Sequence, residues 1–209
     1  MKIGIFGGTF NPVHLGHLAA CEAVRGTRGL DRVLLVPSGS PPHKQAEEGL
    51  IPGVQRLEMV RIAVEGMDFL APSAVEVERP GPSYMVDTLG ILQERHPGDE
   101  LFLIVGGDTV GELTTWYSWR RLFERSRIVA VNRPGFSPGF DAAGFPGISE
   151  EILRQCAADV VEMEEVDISS TRIRQAAAEG EDISIWVPGG VSEYIRTHGT
   201  YPALSTQPF

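Results

Sequence analysis

Hydrophobic and polar positions along this chain follow two alternating patterns. Short, nearly continuous apolar runs predict buried strands, and stretches with apolar residues three or four positions apart predict helices. The apolar runs predict strands over Lys2–Phe6, Arg32–Pro37, Ala74–Val77, Leu101–Val105, Arg127–Val131 and Val160–Met163. The helical stretches predict helices over Leu15–Arg25, Val54–Glu65, Ser83–Arg95, Thr115–Arg125, Glu150–Ala158, Ser170–Ala178 and Val191–Thr197.

Strands that alternate with helices predict βαβ units and a parallel sheet. We therefore expect an α/β fold, namely a Rossmann-like doubly wound parallel sheet with flanking helices and a small C-terminal helical extension. The length of 209 residues fits a single domain, expected over residues 1–198, with the helical extension over about 169–198 and a tail over 199–209. The ligand crevice of such a sheet lies outside the carboxyl ends of its strands.

Composition narrows the class of protein without identifying it. The formal net charge of −10 argues against non-specific nucleic-acid binding, although a few local donors can still hold a phosphate group. Cys21 and Cys156 have no CxxC spacing, so neither a disulfide framework nor a zinc site is indicated. The N-terminal apolar run stops at Phe6, too short for a signal peptide or a membrane span. We therefore expect a cytoplasmic protein with no membrane or nucleic-acid partner, and homo-oligomer formation stays open.

Candidate chemistry begins where the first predicted strand ends, with GGTFNPVHLGH at residues 7–17. Its glycines let the backbone approach a ligand closely, and the N-terminus of the following helix offers unpaired N–H groups to an anion. The string is not GxGxxG, and the chain has no GxxxxGK(S/T) phosphate loop. His14 and His17 have the spacing that shares one helix face. They are either polar helix-start residues or groups that stabilise charge on a transferring phosphoryl group.

A second motif, ISSTRIR, occupies residues 168–174. Ser169 and Ser170 stand ahead of a helical stretch and are typical of a helix cap. A capped helix with solvent-facing arginines explains the string without any chemistry. Alternatively, this helix N-terminus binds a further phosphate and Arg174 reaches a triphosphate. The presence of the first motif favours the phosphate-binding interpretation.

Together the two motifs resemble the paired signatures of the HxGH nucleotidyltransferase superfamily. Further segments resemble the bacterial nicotinate mononucleotide adenylyltransferases, and the resemblance spans roughly residues 2–198. These segments are Pro41-Pro42-His43-Lys44, Gly81-Pro82-Ser83-Tyr84 with Asp87-Thr88, Gly106-Gly107-Asp108, Trp116-Tyr117 and Arg133-Pro134-Gly135. One departure is Gly107, because Ala or Ser is more usual in that family before the aspartate.

This resemblance implies transfer of the adenylyl group of ATP to nicotinate mononucleotide in NAD biosynthesis. Mg²⁺ would be held mainly by the substrate phosphates, so no metal-ligating residues are named. The implied catalytic residues are His14, His17, Lys44 and Arg174. The implied ATP contacts are Gly7, Gly8, Thr9, Phe10, His14, His17, Gly106, Asp108, Ser169, Ser170 and Arg174. The implied nicotinate mononucleotide contacts are Thr9, Lys44, Thr88, Trp116 and Tyr117. Simpler interpretations stay open for a core Trp116, a helix-capping Asp108 and a solvated Lys44.

The implied chemistry needs no general base. A phosphomonoester has its second pKa at about 6, so the attacking phosphate is largely a dianion at neutral pH. The protein must bring two anions into line and offset the charge that develops. Alternatives are transfer to nicotinamide mononucleotide or phosphopantetheine, a cytidylyltransferase, or a binding module without activity. The phosphopantetheine family usually carries Thr where this chain has His14, and both motif histidines are intact.

Overall fold

Six strands form one sheet in the part of the chain that the structure describes. The structure is a computed structural model that describes residues 1–41, 49–132, 138–164 and 167–202. The strands are β1 (Lys2–Gly8), β2 (Arg32–Pro37), β3 (Leu70–Pro72), β4 (Glu100–Gly106), β5 (Arg127–Asn132) and β6 (Val161–Glu162). Their order is β3-β2-β1-β4-β5-β6 and every pairing is parallel. This is the doubly wound topology, with its switch point between β1 and β4, and it confirms the predicted fold class.

Helices cover both faces of this sheet. They are α1 (Leu15–Arg28), α2 (Gly53–Ala63), α3 (Met85–Arg95), α4 (Arg120–Arg125), α5 (Glu150–Ala158), α6 (Ser170–Glu179) and α7 (Gly189–His198), with a 3₁₀ helix over Asp108–Thr115. On β4, Phe102 and Ile104 belong to the hydrophobic cluster that includes α1, α2, α6 and α7. Leu101 and Leu103 belong to the opposite cluster, which includes α3, α4 and α5. Strands buried on both faces have continuous apolar runs, which is why the sequence pattern revealed them.

The strand predicted over Ala74–Val77 is wrong. The structure has a turn there, and the edge strand is β3, which comes just before it. Val75 and Glu76 are nevertheless buried. The apolar pattern therefore predicted burial correctly. These residues are buried by packing, however, and do not belong to a paired strand.

The helix predicted over Thr115–Arg125 is wrong in its first half. Thr115 ends the 3₁₀ helix, and α4 begins only at Arg120. Ser118, between the two helices, has φ 51°, and this left-handed conformation interrupts a right-handed helix. Trp116 consequently lies between the two helices, directly after the end of the 3₁₀ helix.

Ser83 does not begin α3, although the helix predicted from the sequence started there. The helix begins two residues later, and Ser83 Oγ accepts hydrogen bonds from the N–H groups of Gly39 and Ser40 at 2.9 and 3.1 Å. Ser83 therefore joins the segment before α3 to the loop after β2. This contact fixes one wall of the crevice described below.

The C-terminal extension is more firmly packed than the sequence suggested. α6 and α7 lie in this extension, and Thr200 and Tyr201, at the start of the stretch 199–209 expected as a tail, are buried. Tyr201 lies in the same hydrophobic cluster as both helices. Residues 203–209 lie outside the described residues. No helix within the described ranges is long and apolar enough to cross a membrane.

Candidate functional site

The loop between β1 and α1 carries the first motif at the switch point of the sheet. A Cβ atom on Gly7 would lie 2.2 Å from Met85 Cε, and one on Gly8 would lie 3.1 Å from the ring of Phe10. A side chain at Gly7 would therefore displace the end of Met85, and one at Gly8 would press on the ring of Phe10. Phe10 itself is buried and adopts φ 48°. Its ring packs edge-on against His17, with 4.9 Å between the ring centroids.

The two motif histidines stack on each other at the start of α1. Their ring centroids lie 3.6 Å apart with an angle of 24° between the planes. His14 is the N-cap residue, and its backbone N–H donates to His17 Nδ1 at 3.1 Å. Because Nδ1 accepts, a neutral His17 ring carries its proton on Nε2. That Nε2–H group can donate a hydrogen bond to a phosphate oxygen.

Burial keeps both imidazole rings uncharged in the free protein. It lowers the pKa of His14 to about 4. It also lowers the pKa of His17 well below the usual range, and the neighbouring His14 lowers it further. In the free protein the pair therefore offers neutral hydrogen-bonding groups rather than two fixed positive charges. His14 Nδ1 is buried and has no hydrogen-bond partner among the described residues. Such an atom calls for a ligand or a water molecule.

The second motif docks onto the loop that carries the first. Ser169 Oγ accepts the N–H of Arg172 at 3.2 Å, so the predicted helix cap is present. Ser170 Oγ donates to the carbonyl oxygen of Pro12 at 3.0 Å. Arg174 Nη1 donates to the carbonyl oxygen of Asn11 at 3.0 Å. Both interpretations of the motif are therefore compatible, since the capped helix also brings an arginine to the histidine loop.

A crevice of about 410 Å³ opens beside this loop at the carboxyl ends of β1 and β2. Tyr117 is 58% exposed, and its ring lies against that of Tyr84 with 4.5 Å between the centroids. Trp116 lines the crevice and also packs against the core. The lining residues are Gly7, Gly8, Thr9, Ser38, Pro41, Glu76, Ser83, Tyr84, Met85, Glu112, Thr115, Trp116 and Tyr117. An aromatic wall of this kind suits a flat heterocyclic ring.

Thr88 lies behind this crevice rather than in its wall. Its side chain is fully buried, and Oγ1 donates to Glu76 Oε1 at 2.6 Å. Glu76 does line the crevice, and burial raises the pKa of its carboxyl group. In this conformation Thr88 reaches the crevice only through Glu76, and its contact with a ligand stays a prediction. Sequence analysis missed Glu76, although a lone carboxylate between Val75 and Val77 was a visible signal.

The third predicted nucleotide segment follows β4. Asp108 is exposed at the start of the 3₁₀ helix, where Oδ1 accepts the N–H of Thr109 at 2.9 Å. A Cβ on Gly106 would lie 2.5 Å from Asp108 Oδ1, and one on Gly107 would lie 2.4 Å from Asn132 Oδ1. The unusual glycine at 107 is therefore explained by the buried asparagine beside it. Lys44 and the segment Arg133-Pro134-Gly135 lie outside the described residues.

Two buried polar residues near the crevice were also missed. Asn11 donates from Nδ2 to the carbonyl oxygen of Gly49 at 3.0 Å. Arg56, on α2, donates to main-chain oxygens at the ends of two strands. Arg56 precedes the buried Met59 and Val60 by three and four positions, so it lies on the buried face of the helix. A charged residue on an apolar helix face was the signal that could have identified it.

Comparisons with known proteins place this site in a family context. Residues 5–176 match a family model described as cytidylyltransferase-like. The chain is 41% identical over 203 residues to a probable nicotinate-nucleotide adenylyltransferase of Thermus thermophilus, covering 96% of this chain and 100% of that protein. It is 38% identical to the corresponding probable enzyme of Rubrobacter xylanophilus, covering 97% and 93%.

A solved structure shares the fold. The nicotinic acid mononucleotide adenylyltransferase of Plasmodium falciparum, complexed with NaAD, matches with a TM-score of 0.72 at 18% identity. The match covers 96% of this chain and 97% of that one. At this level of identity the similarity concerns the fold alone.

Proposed function

This chain belongs to the nicotinate-nucleotide adenylyltransferase family, and we propose that it transfers the adenylyl group of ATP to nicotinate mononucleotide. The products are nicotinic acid adenine dinucleotide and pyrophosphate. Membership of the family confirms the resemblance that the two motifs carried, and it makes the chain a nucleotidyltransferase. The residues that hold each substrate are part of the proposal.

The docking of α6 onto the histidine loop carries this proposal. Arg174 and the stacked pair of His14 and His17 approach the same short loop from opposite ends of the chain. The loop stands at the switch point of the sheet, where nucleotides bind in doubly wound folds. A guanidinium group and imidazole N–H donors suit the phosphates of ATP. We therefore assign the triphosphate to this junction, together with the N-terminus of α6.

The crevice beside the loop supplies the site for the mononucleotide. Trp116, Tyr117 and Tyr84 provide aromatic faces for the pyridine ring. Thr9 lines the crevice and also belongs to the histidine loop, so it lies between the two proposed substrate positions. This arrangement would bring the phosphate of the mononucleotide towards the α-phosphorus of ATP.

The proposed reaction is an in-line displacement. An oxygen of the mononucleotide phosphate forms a bond to the α-phosphorus, and the bond from that phosphorus to the bridging oxygen of pyrophosphate breaks. The nucleophile is already ionised, so the chain has to position and stabilise rather than remove a proton. His17 Nε2–H would donate to the phosphate whose charge grows in the transition state.

Mg²⁺ belongs to this proposal through the substrates. Among the described residues, no group of three or more His, Cys, Asp and Glu side chains could hold a metal ion. An ion carried by phosphate oxygens and water needs no such group, so the crevice is compatible with it. The bound ion would offset phosphate charge.

The proposal extends to partners and location. ATP and nicotinate mononucleotide are the proposed partners, without nucleic acid or membrane. The net charge of −10 supports the exclusion of nucleic acid. A cytoplasmic location and homo-oligomer formation stay predictions from the sequence.

An acceptor panel tests the function. Purified protein with ATP and Mg²⁺ would receive nicotinate mononucleotide, nicotinamide mononucleotide or phosphopantetheine, one at a time, and pyrophosphate release would be followed. We expect the fastest release with nicotinate mononucleotide, and a parallel series with CTP should be much slower. Release with phosphopantetheine alone, or with no acceptor in the panel, would overturn the proposal.

A further inference from the structure

Arg56 is one of the largest fully buried side chains of the protein, with 1% of its surface exposed. Its Nη1 donates to the carbonyl oxygen of Thr9 at 2.6 Å, and its Nη2 donates to that of Ser38 at 2.5 Å. Its Nε donates to the carbonyl oxygen of Ile51 at 3.0 Å. These are main-chain oxygens, and no ion pair joins Arg56 to a carboxylate within the described ranges.

Two of the three residues that Arg56 holds belong to the wall of the crevice. Thr9 follows β1 and Ser38 follows β2, and both line the crevice. One guanidinium group therefore bridges the residues that follow two neighbouring strands. Its donors lie in one plane at fixed spacing. A lysine ammonium group has its three donors on one nitrogen, so it cannot match three carbonyl oxygens at this fixed planar spacing.

This arrangement also fixes the orientation of the crevice wall. In a trans peptide the N–H and C=O groups point in opposite directions. With the carbonyl oxygen of Thr9 held by Arg56, the N–H of Phe10 is turned to the other side of the peptide plane. Burying a cation is costly, and burial lowers the pKa of Arg56 from its ordinary value, although the nearby Tyr201 and Glu76 offset part of this effect. A side chain kept under that penalty is expected to do more than fill space.

We propose that Arg56 is a positioning residue for adenylyl transfer, and that its guanidinium fork fixes Thr9 and Ser38 so that the two substrates meet in line. The inference rests on the proposed function, because it concerns the wall against which both substrates would lie. It assigns Arg56 no contact with either substrate. Its effect should therefore appear mainly in kcat, through the alignment of the reacting atoms.

The test compares Arg56→Lys and Arg56→Met with the same changes at Arg61. Arg61 lies on the same helix, but it is exposed and pairs with Glu58. Rates are measured below each variant's unfolding midpoint and are corrected for the folded fraction. Both Arg56 variants are expected to lose about 10- to 100-fold in kcat, with smaller changes in KM, because small misplacements of reacting groups cost this much. The Arg61 variants should keep wild-type kcat and KM.

Several outcomes would overturn the proposal. Folded Arg56 variants with wild-type kcat and only a lower Tm would reduce Arg56 to a stabilising residue. Full activity in Arg56→Lys would show that charge suffices and the fork does not matter. A wild-type enzyme that makes no dinucleotide would contradict the proposed function instead, so the two failures are distinguishable.

If neither Arg56 variant folds, the wild-type protein still gives an answer. The side-chain Nε–H signal of Arg56 in isotope-labelled protein should exchange slowly with solvent. It should also shift when ATP and nicotinate mononucleotide are added, because the held carbonyl groups belong to the crevice wall. A signal unchanged by both substrates would overturn the proposal.

Discussion

The hydroxyl group of Tyr201 donates a hydrogen bond of 3.0 Å to Asn11 Oδ1, 190 positions earlier in the chain. The carbonyl oxygen of the same asparagine accepts from Arg174, and its side-chain amide donates to Gly49. The C-terminal segment, α6 and the histidine loop therefore meet at one buried residue. The order of that loop depends on contacts from the far end of the sequence.

Replacing Tyr201 with Phe should weaken this junction. Asn11 Oδ1 would keep only the longer contact from the N–H of Ile51, at 3.5 Å. We expect the free energy of unfolding in urea to fall by about 1 kcal/mol. Tyr194→Phe on α7 is the matched control, because its hydroxyl group makes no hydrogen bond to a described residue. Equal losses in the two variants would show that the Asn11 contact adds nothing.

The sequence predicted the central strands of the sheet better than the segments that connect the strands. β1, β2 and β4 were predictable because strands covered on both faces carry continuous apolar runs. The turn at Val75 and Glu76 was not, because an apolar stretch can be buried without pairing. The break at Ser118 depends on a left-handed backbone conformation that the sequence does not mark.

The sequence predicted the parts of the candidate site that lie within one contiguous motif. It did not predict the parts that form by contact between distant segments. His14, His17 and the capped start of α6 follow from local strings. Arg56 and Tyr201 act through contacts between segments far apart in sequence. Their roles follow from tertiary packing, so no local sequence pattern predicts these roles. Thr88 shows the same limit, since its fully buried position behind Glu76 follows from the packing of α3.

Acid should destabilise the protein through His14. Its pKa is lowered to about 4 in the folded protein, against about 6.5 in an unfolded chain. Between these values only the unfolded chain binds the proton, so stability is complete above the higher value and falls as pH drops towards the lower one. We expect the free energy of unfolding to be about 2 kcal/mol smaller at pH 5 than at pH 7 from this residue alone.

Urea unfolding at the two pH values checks this expectation. His14→Gln should remove the share of pH dependence that belongs to His14. His198→Gln, at an exposed histidine on α7, serves as the control and should retain it. Identical pH dependence in the wild type and in His14→Gln would contradict the burial argument.

His17→Ala should lower kcat more than it raises the KM for ATP. The Nε2–H group would donate to charge that develops only in the transition state, and loss of one such donor costs about 10²- to 10³-fold in rate. Steady-state kinetics with saturating nicotinate mononucleotide measure the split, and His198→Ala is the control. An unchanged kcat would reduce the stacked histidines to structural residues.

The enzyme should prefer nicotinate to nicotinamide mononucleotide. A carboxylate only accepts hydrogen bonds, whereas a carboxamide also presents an N–H donor. Donors that pair with the carboxylate would leave that N–H group unsatisfied, at a cost of about 1 to 3 kcal/mol. The measurement is kcat/KM for both mononucleotides, and a ratio near one would show that the pocket does not distinguish them.

The Thr88→Val substitution tests the source of this preference. Thr88→Val removes the hydroxyl donor from Glu76, which leaves a bare acceptor beside the crevice and should shift the ratio towards nicotinamide. The same ratio in wild type and Thr88→Val would show that Thr88 does not contribute to the preference.

Trp116→Ala should weaken binding of the mononucleotide and leave ATP binding nearly unchanged, because the indole would stack on the pyridine ring. Equal loss for both substrates would contradict that assignment.

The mononucleotide phosphate is proposed to attack the α-phosphorus of ATP at the junction of the histidine loop and α6. The most direct test follows a radioactive label through the reaction. ATP labelled at the α-phosphorus should transfer all of its label to nicotinic acid adenine dinucleotide, and ATP labelled at the γ-phosphorus should yield labelled pyrophosphate. Label from the α-position found in free AMP or on the protein, or label from the γ-position found in orthophosphate or in the dinucleotide, would contradict the account.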